Sequence, residues 1–270
     1  AEVVALRKDN ATIRGVVFRD GETGEEIELR AKAVVNATGP YADAIRRMDE
    51  ERAAPMLAPS QGAHIVLDAA FLPGDCAIMV PHTDDGRVLF AIPWHGRVVV
   101  GTTDTPVDAA EPEPRPLPAE IDFLLAHAAR YLEKDPTSKD VLSAFAGLRP
   151  LVRTRAKRVG AALARDHAIR VSRGGLITVA GGKWTTYRKM AEDVVDRAAE
   201  RAGLPPQPSR TETLPLHGWA SFGNAPLSVY GADAPELKRM LGENAEWRRR
   251  VHPRLETTVG EVIWAARFEM

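Results

Sequence analysis

Cysteine is almost absent from this sequence of 270 residues, and so are several patterns that mark common binding sites. Cys76 is the only cysteine, which excludes an internal disulfide and a cysteine-rich metal site. No two of the seven histidines have a metal-ligand spacing such as HExxH, so we expect no metal site. No apolar run approaches the length that spans a bilayer. The net charge of −1 gives no overall field that would favour nucleic acid.

At both ends, the sequence reads as though it were cut within a strand or a helix. Residues Ala1 to Val4 lack a starting Met and read as though they lay inside a strand, and we expect no signal peptide here because no basic segment is followed by an apolar core. Residues Thr257 to Met270 form a helical pattern that has no stop signal. We therefore expect a piece of a longer protein.

A glycine pair joins an apolar strand to a helix in the stretch AGGKWTTYRKM, which begins at Ala180. Gly182 allows a sharp bend and a close approach, and the first amides of a helix carry a partial positive charge. Together with Lys183, they suit an anion or an electron-rich ring edge. Thr185 or Thr186 would cap the helix or bind the ligand. A simple turn with an exposed lysine is the alternative.

A second junction of this kind is the stretch NATGPY, where Asn36 to Gly39 are small residues at a strand end. A cofactor could lie against such a backbone, although an ordinary strand end fits as well. Neither GxGxxG nor GxxxxGK[ST] occurs in the chain. The element that normally holds the pyrophosphate of a dinucleotide is therefore missing.

Three cations lie in apolar or glycine-rich surroundings and are candidates for anion binding: Arg149, Arg165 and Lys183. If they cluster, they would suit a phosphate or a carboxylate. In the alternative interpretation, Arg165 pairs with Asp166 on the surface and Arg149 caps a helix.

Two further stretches are candidates for a site. His64 begins a predicted strand after a glycine and is a candidate base, although most lone histidines are structural. Thr102 to Asp104 follow an apolar strand, where either ligand contacts or a turn capped by Asp104 is expected.

Six stretches taken together resemble a known family, in the same order and at comparable distances: AVVNATGPYAD, QGAHIVLD, AIPWHGRVVVGTTDT, GLRPLV, ARDHAI and AGGKWTTYRKMAEDVVD. They are similar to those of the flavin-dependent, respiratory glycerol-3-phosphate dehydrogenases, within the larger group built like D-amino-acid oxidase. The tail from Tyr230 resembles the start of the family's C-terminal helical domain. In the family, the glycine fingerprint for FAD precedes all of these stretches. One departure is Ala63, where the family pattern has a serine.

The resemblance implies oxidation of sn-glycerol 3-phosphate to dihydroxyacetone phosphate. Hydride would pass from C2 to N5 of FAD while a base takes the hydroxyl proton, and the electrons would go on to quinone. Oxygen is the alternative acceptor, as in the oxidase branch. The resemblance also implies a cytoplasmic protein, with peripheral contact at the inner face of the cell membrane and a homodimer as further options.

The roles that the resemblance implies fall on matching motif positions. Lys183, Trp184 and Thr185, after Gly182, would meet the pyrimidine edge of the flavin, where Lys183 stabilises negative charge on the reduced ring. Ala37, Thr38 and Gly39 would lie along the FAD. Arg149 would hold the substrate near its oxygens, Arg165 would help with the phosphate, and His64 would be the base candidate at the C2 hydroxyl. Catalytic roles are thus expected for His64, Arg149 and Lys183.

We therefore expect an α/β plus α fold that is part of a two-domain FAD-dependent oxidoreductase. Residues 1–45 and 161–205 would belong to the FAD-binding domain, residues 46–160 to a β-rich substrate domain, and residues 206–270 to a partial helical domain. Two other functions stay open. One is a related flavin oxidase acting on an amine or hydroxy acid, and the other is a non-catalytic interaction module whose helical tail is the binding surface.

Overall fold

The structure is a computed structural model that describes residues 1–153, 167–220 and 227–269. The chain divides into two compact units, Ala1–Pro208 and Ser209–Met270. The strands among the described residues are β1 Glu2–Asp9, β2 Thr12–Arg19, β3 Glu26–Arg30, β4 Val34–Asn36, β5 Ser60–Asp68, β6 Ile78–Val80, β7 Leu89–Trp94, β8 Arg97–Gly101, β9 Thr105–Pro106, β10 Ser143–Arg149, β11 His167–Val171 and β12 Leu176–Gly181. The α-helices are α1 Ala42–Asp49, α2 Pro118–Ala128, α3 Tyr187–Ala202, α4 Ala234–Glu243 and α5 Val259–Phe268.

The first three strands form an antiparallel meander in the order β1-β2-β3. Asn10 and Ala11 connect β1 to β2 with positive φ angles of 46° and 65°, the conformation of a tight hairpin turn.

The largest sheet is antiparallel, with the order β10-β5-β8-β7-β6 and with β9 added to β5. Side chains alternate along β5, so Ala63, Ile65 and Leu67 are buried in a core with Leu124 and Ala128 of α2. Among the described residues, no core cluster places a helix on the opposite face of this sheet. We call this opposite face the open face. Its exposed apolar side chains include Met79, Phe90, Ile92, Trp94 and Phe145.

A third sheet, in the order β11-β12-β4, contains a parallel pair. Strand β12 runs parallel to β4 with Leu176 opposite Val34 and Thr178 opposite Asn36. Because parallel strands end at the same edge of a sheet, the segment after Asn36 and the segment after Ala180 lie side by side. Helix α3 covers β12, and it ends at Gly203, which has the left-handed conformation typical of a helix end.

The second unit is helical. Leu237 and Met240 of α4 pack against Trp264 of α5 in a small core. With the three sheets of the first unit, this makes a mixed α/β chain followed by a helical unit, so the predicted fold class is confirmed. Within the described ranges, we find no helix with the length and apolarity to cross a membrane.

Candidate functional site

His64 lies on the open face of the large sheet, where two neighbouring strands hold its ring. On one side it stacks on Phe145 of β10, its cross-strand partner, with ring centroids 5.0 Å apart and planes at 6°. On the other side the ring covers Gly101, its partner in β8, where a Cβ would lie under 3.0 Å from three ring atoms. Only glycine at position 101 leaves room for this ring. Strand β5 begins at Ser60, so the prediction that His64 begins the strand is wrong.

Arg149 is the last residue of β10, opposite Ser60. Its guanidinium lies over Gly62, where a Cβ would come under 3.0 Å from three guanidinium atoms. Arg149 Nη1 donates to the carbonyl oxygen of Thr103 at 3.0 Å, and Nη2 donates to Thr102 Oγ1 at 2.8 Å. The side chain stays 34% exposed. Arg149 therefore belongs to a strand, and the alternative interpretation that it caps a helix is wrong.

His64 and Arg149 are neighbours on this face. Gly62, which lies beneath the guanidinium, is two residues from His64, and alternate residues of a strand are about 7 Å apart on one face. Burial lowers the pKa of His64, and the positive charge of Arg149 lowers it further. The imidazole is therefore neutral near pH 7, and a neutral imidazole accepts a proton.

The turn from Thr102 to Asp104 contacts the guanidinium group of Arg149. Asp104 Oδ1 accepts a hydrogen bond from Ser60 Oγ and lies 3.5 Å from Arg149 Nη1. Thr103 is buried, and its hydroxyl donates to Glu120 at 2.8 Å. Our sequence reasoning proposed Thr102 to Asp104 but missed Ser60 and Glu120, because contacts between residues far apart in the chain leave no local pattern.

The glycine pair after β12 has the sharp bend that we expected. Gly181 and Gly182 have φ angles of 79° and 74°, and a 3₁₀ turn, Trp184–Thr186, leads into α3. Thr186 closes this turn, since its hydroxyl accepts from the Lys183 amide at 3.1 Å and donates to the Lys183 carbonyl at 3.0 Å. Lys183 and Thr185 are exposed, and Trp184 is 85% exposed and stacks on Tyr187.

The two glycine junctions differ in the space that a Cβ atom on the glycine would occupy. A Cβ on Gly182 would meet Sδ and Cε of Met190 under 3.0 Å, so this glycine serves the packing of α3. Gly39 has a φ of +57°, and a Cβ there would have nothing within 4 Å. In the direction of a Cβ, the backbone therefore has open space at Gly39, whereas at Gly182 that direction is filled by Met190.

The turn before Gly39 is fixed by a buried amide. Asn36 Nδ2 donates to the carbonyl of Ala42 at 2.9 Å, and Asn36 Oδ1 accepts from Thr38 Oγ1 at 2.8 Å. The 3₁₀ turn Gly39–Tyr41 contacts both β10 and β12. Three parts of the chain thus lie close together. They are residues 37–39 after β4, the end of β12 that leads to Lys183, and strand β10, which carries Arg149. Arg165 lies outside the described residues.

The fold and this arrangement of strand ends define a class of protein. Residues 1–188 match the DAO family, described as FAD dependent oxidoreductase. The chain belongs to this family.

The comparisons also find similar individual proteins. The chain is 48% identical over 206 residues to the probable mitochondrial glycerol-3-phosphate dehydrogenase of Caenorhabditis elegans, covering 75% of this chain and 28% of that protein. It is 42% identical over 225 residues to the mitochondrial glycerol-3-phosphate dehydrogenase of Homo sapiens, covering 80% of this chain and 31% of that protein. The chain thus spans about a third or less of the length of these two relatives.

Among solved structures, the chain is similar to the glycerol-3-phosphate dehydrogenase from Bacillus halodurans complexed with FAD. The TM-score is 0.80 at 30% identity, covering 98% of this chain and 56% of that one. The L-alpha-glycerophosphate oxidase from Mycoplasma pneumoniae with FAD bound gives a TM-score of 0.52 at 20% identity, which shows the shared fold alone. The resemblance expected from the sequence is confirmed at the level of the family.

Proposed function

We propose that this chain forms the substrate face and one side of the flavin site of an FAD-dependent glycerol-3-phosphate dehydrogenase. The observation that carries the proposal is the pair His64 and Arg149, a neutral imidazole beside a guanidinium on one open sheet face. An anionic alcohol needs both groups, because a cation binds its charged oxygens and a neutral base accepts the proton of its hydroxyl.

Each residue has one task in this proposal. Arg149 binds oxygens of sn-glycerol 3-phosphate, with Arg165 assigned to the phosphate by the family pattern. His64 takes the proton of the C2 hydroxyl, and the stack on Phe145 orients its ring. When bound, FAD supplies the two-electron oxidation that yields dihydroxyacetone phosphate.

The described residues fit one part of FAD, the flat flavin ring. Ala37, Thr38 and Gly39 offer a small-residue edge with open space before Gly39. Gly182, Lys183, Trp184 and Thr185 are the partners that we assign to the pyrimidine edge. The exposed ammonium group of Lys183 would face negative charge on the reduced ring and stabilise it. The 270 residues hold no glycine fingerprint for the pyrophosphate.

The same proposal assigns the domains. Residues 1–45 and 161–205 would belong to the FAD-binding domain, which the parallel pairing of β4 with β12 supports. Residues 46–160 would be the substrate domain, since the large sheet lies within them. Residues 206–270 would be a partial helical domain.

For the electron acceptor we propose a quinone. The exposed apolar side chains Phe90, Ile92 and Trp94 on the open face support an apolar partner, either the quinone itself or a membrane surface. Oxidation of the reduced protein by a short-chain quinone analogue should be faster than by oxygen. Faster oxidation by oxygen would favour the oxidase instead. The proposal leaves the homodimer to be tested by light scattering.

The test of the activity uses the flavin absorbance of the full-length protein without oxygen. Glycerol 3-phosphate should bleach the flavin, whereas glycerol, glycine and lactate should not do so at matched concentrations. An unbleached spectrum with glycerol 3-phosphate would overturn the proposal. Bleaching by an amine or a hydroxy acid would identify a related oxidase of the same architecture.

A further inference from the structure

A buried carboxylate lies on the side of the large sheet opposite to the open face. Glu120, the third residue of α2, is 4% exposed. It accepts four hydrogen bonds, all from neutral donors: the Leu117 amide at 2.9 Å, Gln61 Nε2 at 2.8 Å, Thr103 Oγ1 at 2.8 Å and Thr105 Oγ1 at 2.7 Å. Burial raises the pKa of Glu120, but these hydrogen bonds outweigh burial and hold the pKa below its ordinary value. The group is therefore an anion near pH 7.

Thr103 connects this anion to both residues of the proposed site. Its hydroxyl donates to Glu120 and accepts from the backbone amide of Ala63 at 2.8 Å. Its carbonyl oxygen accepts from Arg149 Nη1 at 3.0 Å. Because Ala63 precedes His64 in β5, one threonine fixes the backbone beside His64 and the acceptor that holds Arg149.

We propose that Glu120 is a positioning residue which, through Thr103, sets the placement of His64 relative to Arg149. Its kinetic consequences rest on the proposed function, whereas its structural consequences do not. A carboxylate suits this position, since it accepts at both oxygens and donates at neither. A glutamine would either place its NH₂ group against Gln61 and the amide of Leu117, both of which are donors, or require the hydroxyls of Thr103 and Thr105 to accept instead of donate.

Two threonine substitutions separate positioning from a merely structural role. Thr103→Val and Thr105→Val each remove one hydroxyl donor from the same oxygen of Glu120. Only Thr103 also accepts from Ala63, so only Thr103→Val releases the Ala63 amide. The pair is matched in chemistry and differs in the link to the site.

The first measurement needs no substrate. Hydrogen–deuterium exchange of the full-length protein, with peptides that cover residues 60–66, should show the Ala63 amide exchanging about 10-fold faster in Thr103→Val, since one hydrogen bond is lost. Thr105→Val should leave this amide unchanged. Equal exchange in the two variants would overturn the proposal whatever the protein oxidises.

The second measurement is the anaerobic rate of flavin reduction by glycerol 3-phosphate. Thr103→Val and Glu120→Gln should lower kcat/KM about 10- to 100-fold, because small misplacements of catalytic groups cost rates of this order. Thr105→Val should stay within about 3-fold of the parent, and Glu120→Asp should recover part of the loss. If the parent is reduced but Thr103→Val and Thr105→Val lose rate and Tm equally, Glu120 is structural only. If the parent is not reduced, the proposed function fails and the exchange result alone decides the role of Glu120.

Discussion

The two sides of the candidate site are built differently. On the sheet side, Arg149 has partners in Thr102, Thr103 and Asp104, and His64 is held between Phe145 and Gly101. On the helix side, Lys183 and Trp184 are exposed, and hydrogen bonds of Thr186 with the Lys183 backbone close their turn. The side chains on the sheet side are thus positioned by contacts within the chain, whereas the helix side exposes side chains that are available to bind a cofactor. Substitutions on the two sides should therefore have different signatures.

The largest effect is expected on the sheet side, at Arg149. Arg149→Met removes the cation that we place beside His64, and kcat/KM for glycerol 3-phosphate should fall about 10³-fold, because the charged substrate loses its partner in the site. Steady-state kinetics of the full-length protein measure this loss. Arg97→Met is the control, since Arg97 is an exposed arginine of the neighbouring strand β8, with Asp68 as a distant partner at 3.9 Å. Similar losses in both variants would contradict the assignment of Arg149.

A smaller effect with a different signature is expected on the helix side. Lys183→Met should slow flavin reduction about 10- to 100-fold, because it removes positive charge where the reduced ring gains negative charge. The Tm should stay within about 2 °C of the parent value, since exposed positions contribute little to folding. Stopped-flow absorbance and thermal unfolding measure the two quantities. Lys189→Met is the control, since Lys189 lies in helix α3, which follows this turn, and pairs with Glu192 and Asp193. Equal losses of rate and Tm in Lys183→Met would undo the contrast.

These two sides were not equally visible in the sequence. The strand, glycine pair and helix around Lys183 follow one another in the chain, so local pattern was enough to predict them. The same pattern does not show which side chains of α3 the neighbouring strands cover, since Val195 is 60% exposed.

The sheet side depends on contacts that no local pattern records. His64 and Arg149 were proposed as single residues, but their approach depends on the register of β5 with β10. Glu120 reaches Gln61 across 59 positions, and the sequence showed only an acidic residue early in a helix. For the same reason, the sequence could not show that Gly62 and Gly101 must be glycines. Gly62 leaves room for the side chain of Arg149, and Gly101 leaves room for that of His64.

Asp43 links helix α1 to the segment that precedes β5, and its loss should destabilise the first unit. The Asp43 carboxylate accepts from the amides of Met56 and Leu57, each at 3.0 Å, and from Arg46. Asp43→Asn should lower the free energy of unfolding by about 1–3 kcal/mol, because two backbone amides would face a weaker or donating group. Chemical denaturation measures this change. Asp122→Asn is the control, since Asp122 is an exposed carboxylate of helix α2.

The same carboxylate predicts a pH dependence. Burial opposes ionisation of Asp43, but the hydrogen bonds from Met56, Leu57 and Arg46 prevail and lower its pKa. The folded pKa lies below the unfolded value of about 3.9, so this stabilisation is present above that pH and is lost as the pH falls through the folded pKa. The acid limb of stability should therefore be shallower in Asp43→Asn. An unchanged acid limb would show that other groups govern it.

The smallest effect is expected in the titration of His64. Its pKa is lowered by burial and then by the charge of Arg149, so Arg149→Met should raise it towards the ordinary value. An NMR titration of the imidazole protons follows this shift directly. Lys183→Met should leave the titration unchanged if the two sides are independent. A shift of equal size in both variants would show that the two sides share one electrostatic environment.

The central claim is that a neutral His64 and a cationic Arg149 meet the same substrate molecule. A crystal structure of the full-length protein with FAD, soaked anaerobically with glycerol 3-phosphate, tests it most directly. We predict the C2 hydroxyl within about 3.2 Å of a ring nitrogen of His64, and a substrate oxygen within about 3.2 Å of an Arg149 nitrogen. Substrate bound elsewhere, with both distances beyond about 5 Å, would contradict the account.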